Sequence, residues 1–152
     1  MSADTEIRPA TTSDVPAIER IVHDAYLRYV ERIGKPPGPM LDDYSARVAE
    51  GAVWVLDEGG AVAGVLVLLP AQDHLLLDNV AVDPARHGAG FGRRLMAFAE
   101  DEARRRGYTE VQLYTHVMMH ENLVLYPRLG YEEFARFEQA GYQRVFMRKR
   151  VG

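Results

Sequence analysis

Apolar positions along this chain recur with two different periods, and the changes between them mark its elements. Ile18, Ile21, Val22, Ala25, Tyr29 and Ile33 fall at helical spacing, with Asp14 at a capping position and Pro16 in the first turn. The run GKPPGPM, from Gly34, stops that helix. Before it, EIRPAT reads as a short strand. After it, LDDYSARVAE reads as a short helix ending at Gly51. AVWVLDEGGAVAGVLVLLP is then two β-rich runs around Glu58-Gly59-Gly60, a hairpin, and HLLLDNVAVDP is a further strand. Helical spacing returns from Gly90 to Arg106, with Leu95, Met96, Phe98, Ala99 and Ala103 facing inward. Glu100–Arg104, Asp101–Arg105 and Glu102–Arg106 are expected to pair on its water-facing side, and Gly107 ends it. EVQLYTH is a strand, ENLVLYPRLG a helix, and YEEFARFEQAGYQRVFMRKR a closing hairpin. Two antiparallel regions thus flank a β-α-β-α unit. The pattern predicts an α/β fold: a mixed, mostly antiparallel central sheet of about seven strands flanked by helices on both faces.

Composition narrows the function classes. The 152 residues, 47% hydrophobic and 26% charged, suit a single domain over residues 1–152 with its own core. A net charge of -4 argues against general nucleic-acid binding. There is no cysteine, which removes disulfides, thiolate metal sites and cysteine nucleophiles together. MSADTEIRPA lacks a basic stretch followed by an apolar one, and no apolar run is long enough to span a bilayer. The expectation is a cytoplasmic protein with no membrane partner.

The candidate chemistry lies in VDPARHGAGFGRRL, where Gly88, Gly90 and Gly92 alternate between a strand and a helix. The first turn of a helix has unpaired N–H groups and a positive dipole end, and glycines keep side chains out of a phosphate's way. Arg86, Arg93 and Arg94 add charge. A P-loop needs Gly-Lys-Ser/Thr at its end, but Gly92 is followed by Arg93-Arg94. A dinucleotide fingerprint needs a third glycine where Arg93 stands, and an acid after the next strand, which EVQLYTH does not carry. The pyrophosphate of coenzyme A is the remaining nucleotide candidate. The plain alternative is a turn that only tightens a strand–helix junction.

At these residues the chain resembles the GNAT N-acetyltransferases. VAVDPARHGAGFGRRLMAFAEDEA is similar to their acyl-CoA-binding segment, with Gly90 and Gly92 at its two small positions and His87 where glutamine or arginine is usual. LYPRLGYEE is similar to the family's second motif, at the end of a helix and the start of a strand. The resemblance implies a GNAT-like fold whose central parallel strands, LLLDNVAV and VQLYTH, splay apart to admit the pantetheine arm of acetyl-CoA. It implies an acyl-CoA-dependent N-acyltransferase that moves acetyl to a primary amine of a small molecule or peptide by direct attack, with acetyl-CoA as co-substrate. Cofactor contacts then fall on Val80, Val82, Arg86, His87, Gly88, Ala89, Gly90, Phe91, Gly92 and Arg93. Tyr126 matches the tyrosine that protonates the departing thiolate, a role within reach of a phenol of pKa about 10.

Asp78 is the leading candidate for the base, because an acid in an apolar strand is costly unless paired or used. Glu121, His116 and His120 are reserves. Two histidines without a third ligand make a weak metal site, so no metal is expected. Asn122 lies one turn before Tyr126 and takes no role. The segment YLRYVERIGKPPGPMLDDY, with Tyr26, Tyr29 and Tyr44 among its aromatics and Glu31, Asp42 and Asp43 among its acids, suits recognition of a cationic amine, with help from the last hairpin. Expected partners are acyl-CoA and an amine acceptor, with a homodimer as a further expectation. Two other classes stand beside this one: a catalytically silent acyl-CoA-binding or regulatory module, and a nucleotide-dependent oxidoreductase.

Overall fold

The computed structural model describes residues 4–86 and 88–152. Its elements are β1 (Thr5–Pro9), α1 (Val15–Ile33), α2 (Tyr44–Ala49), β2 (Val53–Glu58), β3 (Ala61–Pro70), β4 (Leu75–Val82), α3 (Phe91–Arg105), β5 (Glu110–His116), α4 (His120–Arg128), β6 (Glu132–Gln139) and β7 (Tyr142–Arg150). This is the predicted order. The strands form one seven-stranded sheet in the order β1-β2-β3-β4-β5-β7-β6. The β4–β5 pair is parallel; the β1–β2, β2–β3, β5–β7 and β6–β7 pairs are antiparallel. The fold is therefore a mixed, mostly antiparallel α/β sheet with helices.

The chain gathers into two compact units, and it passes between them within β3, β4 and α3. The first comprises residues 1–68 and 79–99. Its core is the buried stripe of α1 (Ile18, Ile21, Val22) and the buried residues of β2 and β3 (Val55, Leu56, Val65, Leu66, Val67), joined by Leu95 of α3. Gly64 is closely packed: a Cβ there would come within 2.9 Å of the end of the Leu95 side chain and 3.4 Å of the Ala81 carbonyl, so a larger residue would make Leu95 shift. Asp14 holds the expected capping position but makes no cap bond with its side chain. It turns back instead, accepting from both guanidinium nitrogens of Arg8 at 2.8 and 3.1 Å and from the Thr11 amide at 2.8 Å. Arg8 also pairs with Asp57.

The second unit comprises residues 69–78 and 100–152. Val111, Leu113, Val145, Met147 and Tyr131 are buried in it. The parallel register pairs Leu75–Leu77 with Val111–Leu113, while β5 pairs with β7 over its whole length. β6 is the end strand, and a bulge at Phe134 interrupts its register with β7.

One expectation fails here. The acids of α3 do not line a wet face in three pairs four residues apart. Glu100 and Glu102 are buried, at 9% and 6% exposure. Glu100 pairs with Lys149 of β7 at 2.9 Å and accepts from the Tyr131 hydroxyl at 3.2 Å. Asp101 bonds Arg104 instead of Arg105. Only Glu102–Arg106 forms as expected, and Glu102 takes Arg105 as well. Helical spacing told which residues were neighbours on α3, but not that a distant lysine and tyrosine would claim Glu100.

Candidate active site

The glycine loop is built by the residues on either side of it. Asp83 is buried and fixes the exit from β4: its amide donates to the Ala63 carbonyl, and its carboxylate accepts from the Ala85 amide at 3.0 Å. A short turn, Pro84–Arg86, follows, as an Asp-Pro pair favours. Gly88 and Gly90 have φ of +86° and +77°, a region that disfavours side chains, and a Cβ added at either would meet nothing within 4 Å. The space in front of this backbone is open. α3 starts at Phe91, and its first return bond runs from the Arg94 amide to the Gly90 carbonyl. The amides of Phe91, Gly92 and Arg93 thus belong to the first helical turn, which has no intrahelical acceptor for them. Phe91 is buried and anchors the turn, while Gly88, Ala89, Gly90 and Arg93 are exposed. Arg86 pairs with Glu58 and Arg94 bonds Thr5, so Arg93 is the arginine that extends outward. Gly92 lies against Val82, whose Cγ2 would be 3.8 Å from an added Cβ. His87 lies outside the described residues.

Alternation along β4 sorts its polar residues. Leu75, Leu77, Asn79 and Ala81 point to the buried face; Leu76, Asp78, Val80 and Val82 to the half-buried one. Asn79, which sequence reasoning missed, is 3% exposed. It accepts from the Tyr26 hydroxyl at 2.6 Å and donates to the Tyr44 hydroxyl at 2.9 Å; Tyr44 in turn donates to the Pro39 carbonyl. Tyr26 also reaches the Val80 carbonyl at 3.3 Å. Two of the three tyrosines assigned to the acceptor thus hold the second half of β4 to α1 and α2. The third, Tyr29, is 3% exposed, with the guanidinium of Arg28 4.7 Å from its ring centre and that of Arg32 at 5.4 Å. Parity could have found Asn79, since it is the polar residue in phase with Leu75 and Leu77. Beside Tyr44, a small cavity of about 80 Å³ is lined by Glu19, Val22, His23, Met40 and Asp42.

In the second unit, Asp78 accepts a hydrogen bond from the Tyr114 hydroxyl at 2.9 Å. Tyr114 had no place in the sequence reading, because nothing short of the β4–β5 register brings it to Asp78. Tyr126, on α4, is 8% exposed, with its ring edge-on to Tyr131 at 6.3 Å. Tyr131 follows Gly130, whose φ of +97° ends α4, and its amide returns to the Tyr126 carbonyl at 3.1 Å. Burial, with Glu100 nearby, raises the Tyr131 phenol far above its usual range, so that hydroxyl stays a donor. His116 accepts from the Met118 amide, and Asn122 donates to Thr115. Among the described residues no three histidine or acidic side chains cluster as metal ligands. Nor is any helix among them long and apolar enough to cross a membrane.

Known proteins share both the pattern and the shape. The acetyltransferase (GNAT) family profile matches residues 16–131. The chain is 30% identical over 109 residues to N-acetyltransferase family 8 member 2 of Rattus norvegicus, covering 68% of this chain and 46% of that protein. It spans less than half the length of several such mammalian relatives. It is also 30% identical over 135 residues to the uncharacterized N-acetyltransferase YjgM of Escherichia coli, covering 83% of this chain and 81% of that one. Among solved structures, the PaiA N-acetyltransferase of Thermoplasma acidophilum in complex with coenzyme A superposes with a TM-score of 0.79 at 15% identity, over 97% of this chain and 99% of that one. The putative acetyltransferase YncA of Salmonella typhimurium, solved with acetyl-CoA, gives 0.75 at 24% identity over 99% and 95%.

Proposed function

The chain belongs to the acetyltransferase (GNAT) family, and from that premise we propose that it transfers an acetyl group from acetyl-CoA to a primary amine, in the cytoplasm. The observation that carries the proposal is the backbone of residues 88–93: two left-handed glycines with open space before them, leading into the first turn of α3. A pyrophosphate fits such a place, because the amides donate to it and the helix dipole favours its charge. Gly88, Ala89, Gly90, Phe91, Gly92 and Arg93 would hold it through backbone groups, with Arg86 beside them. Val80 and Val82 would border the pantetheine arm, and the short parallel register of β4 and β5 supports that placement.

Acetyl-CoA supplies an acyl group activated as a thioester. The chain's residues then have three tasks. The β4 backbone near Val80 orients the thioester carbonyl and polarises it. Asp78 takes a proton from the amine as its nitrogen bonds to the acyl carbon and the C–S bond breaks. Tyr126 gives its hydroxyl proton to the departing sulfur. For Tyr26, Tyr29 and Tyr44 we propose positioning roles. Tyr26 and Tyr44 fix Asn79, hence the strand that carries Val80, and Tyr29 packs beside Tyr26 with ring centres 6.1 Å apart.

The test is steady-state thiol release with a working acceptor. Tyr126→Phe is expected to lower kcat roughly a hundredfold or more while acetyl-CoA affinity stays nearly unchanged. A Phe variant with wild-type turnover removes Tyr126 from the chemistry. Thiol release with none of a broad amine panel, despite acetyl-CoA binding, favours the silent binding module.

A further inference from the structure

The half-buried face of the second unit's sheet carries a pattern that the proposed chemistry does not use. Across neighbouring strands, Tyr114 of β5 lies opposite Phe146 of β7, and Phe146 opposite Ala135 of β6. Phe146 is the hub: Tyr114 is 6.1 Å away, Phe134 6.3 Å, and Phe137 is stacked on it at 4.5 Å with planes 16° apart. Phe134 and Phe137 are 40% and 50% exposed, unusual for two aromatics on one short strand. Along β7, Arg144 and Arg148 flank Phe146 at alternate positions. Arg144 sits 4.4 Å over the Tyr114 ring and Arg148 5.1 Å over Phe134. Among the described residues neither guanidinium has a carboxylate partner; Arg144 bonds the Gln139 amide oxygen. Asp78 continues the row at the far side, hydrogen-bonded to Tyr114.

We propose that this face docks the acceptor, and that the acceptor is a small amine carrying a flat aromatic group and a carboxylate. The inference rests on the reading of Asp78 as the group that meets the amine. Adjacent strands are about 4.8 Å apart, so the Phe146 hub lies about 10 Å from Asp78 along the row. An amine held at Asp78 would lay its aromatic part on Phe146 and Phe137, and its acid between the two arginines. Charge complementarity selects this occupant: two guanidiniums without carboxylate partners flank an aromatic floor and suit an anion bound to a ring. A second copy of the chain adding a strand is a poorer occupant. β6 is a bulged edge carrying Glu132, Glu133, Arg136 and Glu138, devices that discourage edge-to-edge pairing.

The experiment has a binding arm and a turnover arm on the full chain with acetyl-CoA. The probes are para-(aminobutyl)benzoate, phenylbutylamine, which lacks the acid, aminohexanoate, which lacks the ring, and spermidine. Titration calorimetry is expected to show the benzoate binding at least about tenfold tighter than each of the others, with the same order in kcat/KM. The exposed pair of substitutions Arg144→Gln and Arg148→Gln should erase the preference for the acid. Phe137→Ser should erase the preference for the ring. Spermidine or aminohexanoate binding as well as the benzoate overturns the proposal, and so does an unchanged preference in folded arginine variants. If the benzoate binds as expected and no amine releases thiol, the docking face stands and the acyltransfer reading fails. If other amines are acetylated and the benzoate does not bind, the reverse holds.

Discussion

Asp14 shows what a single residue can and cannot reveal from sequence. Its position before α1 was legible as a cap; its partner was not, because Arg8 reaches it from the neighbouring strand. The hydrogen bonds from Arg8 hold its carboxyl down at about 2, below the ordinary 3.8. A lowered folded pKa contributes stability above the unfolded value, and that contribution is lost as pH falls through the folded one. Asp14→Asn is therefore expected to cost about 2 kcal/mol at neutral pH, with the loss disappearing between pH about 4 and about 2. Urea unfolding at several pH values would measure this. A constant gap down to pH about 2 would contradict the pairing. The glycines separate in the same way. Gly90 has a positive φ, so Gly90→Val should lose coenzyme A affinity and also about 1–2 kcal/mol of stability. Gly92 is free of that constraint and has room at 3.8 Å, so Gly92→Ala isolates the ligand's response from the fold's.

At the scale of elements, periodicity carried the order and nearly all the boundaries. Leu95, Met96, Ala99 and Ala103 are buried on α3 as their spacing required, while Phe98 is only half-buried. What it could not carry was which polar residues would be taken inside by partners far along the chain. Glu100 is the sharpest case, since Lys149 and Tyr131 become its neighbours only once β7 and the end of α4 are in place. Glu100→Ala would leave the half-buried Lys149 ammonium with the Leu129 carbonyl but no carboxylate, and would remove the acceptor of the buried Tyr131 phenol, an expected loss of about 2 kcal/mol. Asp101→Ala, one residue along, breaks a pair whose acid is 76% exposed and should change stability by less than about 0.5 kcal/mol. Denaturation midpoints for the two variants check the contrast directly. Equal losses would mean that Glu100 is no more than another surface acid. The same limit explains Asp78. Its place on an apolar strand was plain, but its bond to Tyr114 depends on the register Leu77↔Leu113, which no local pattern encodes.

For the whole molecule, the fold was legible because the order of elements and two short motifs point the same way, a consistency across levels that folding sequences tend to show. The candidate site was legible only where it is made of backbone. A glycine loop at a helix start announces itself, whereas Asn79, Asp83 and Tyr114 enter through contacts made in three dimensions. Ligand binding to the folded chain offers a test that needs no acceptor. A ligand at a hundred times its Kd stabilises the folded state by about 2.7 kcal/mol, worth a Tm rise of roughly 5–10 °C for a chain of this size. Acetyl-CoA is expected to give that rise and NAD none, which separates an acyltransferase from an oxidoreductase on the same glycine loop. Tyr126→Phe should keep the full shift, since its proposed proton transfer comes after binding. Gly90→Val should lose it at any acetyl-CoA concentration that saturates the wild type. A rise with NAD equal to that with acetyl-CoA would detach the loop from coenzyme A, and the assigned roles of Asp78 and Tyr126 would fall with it.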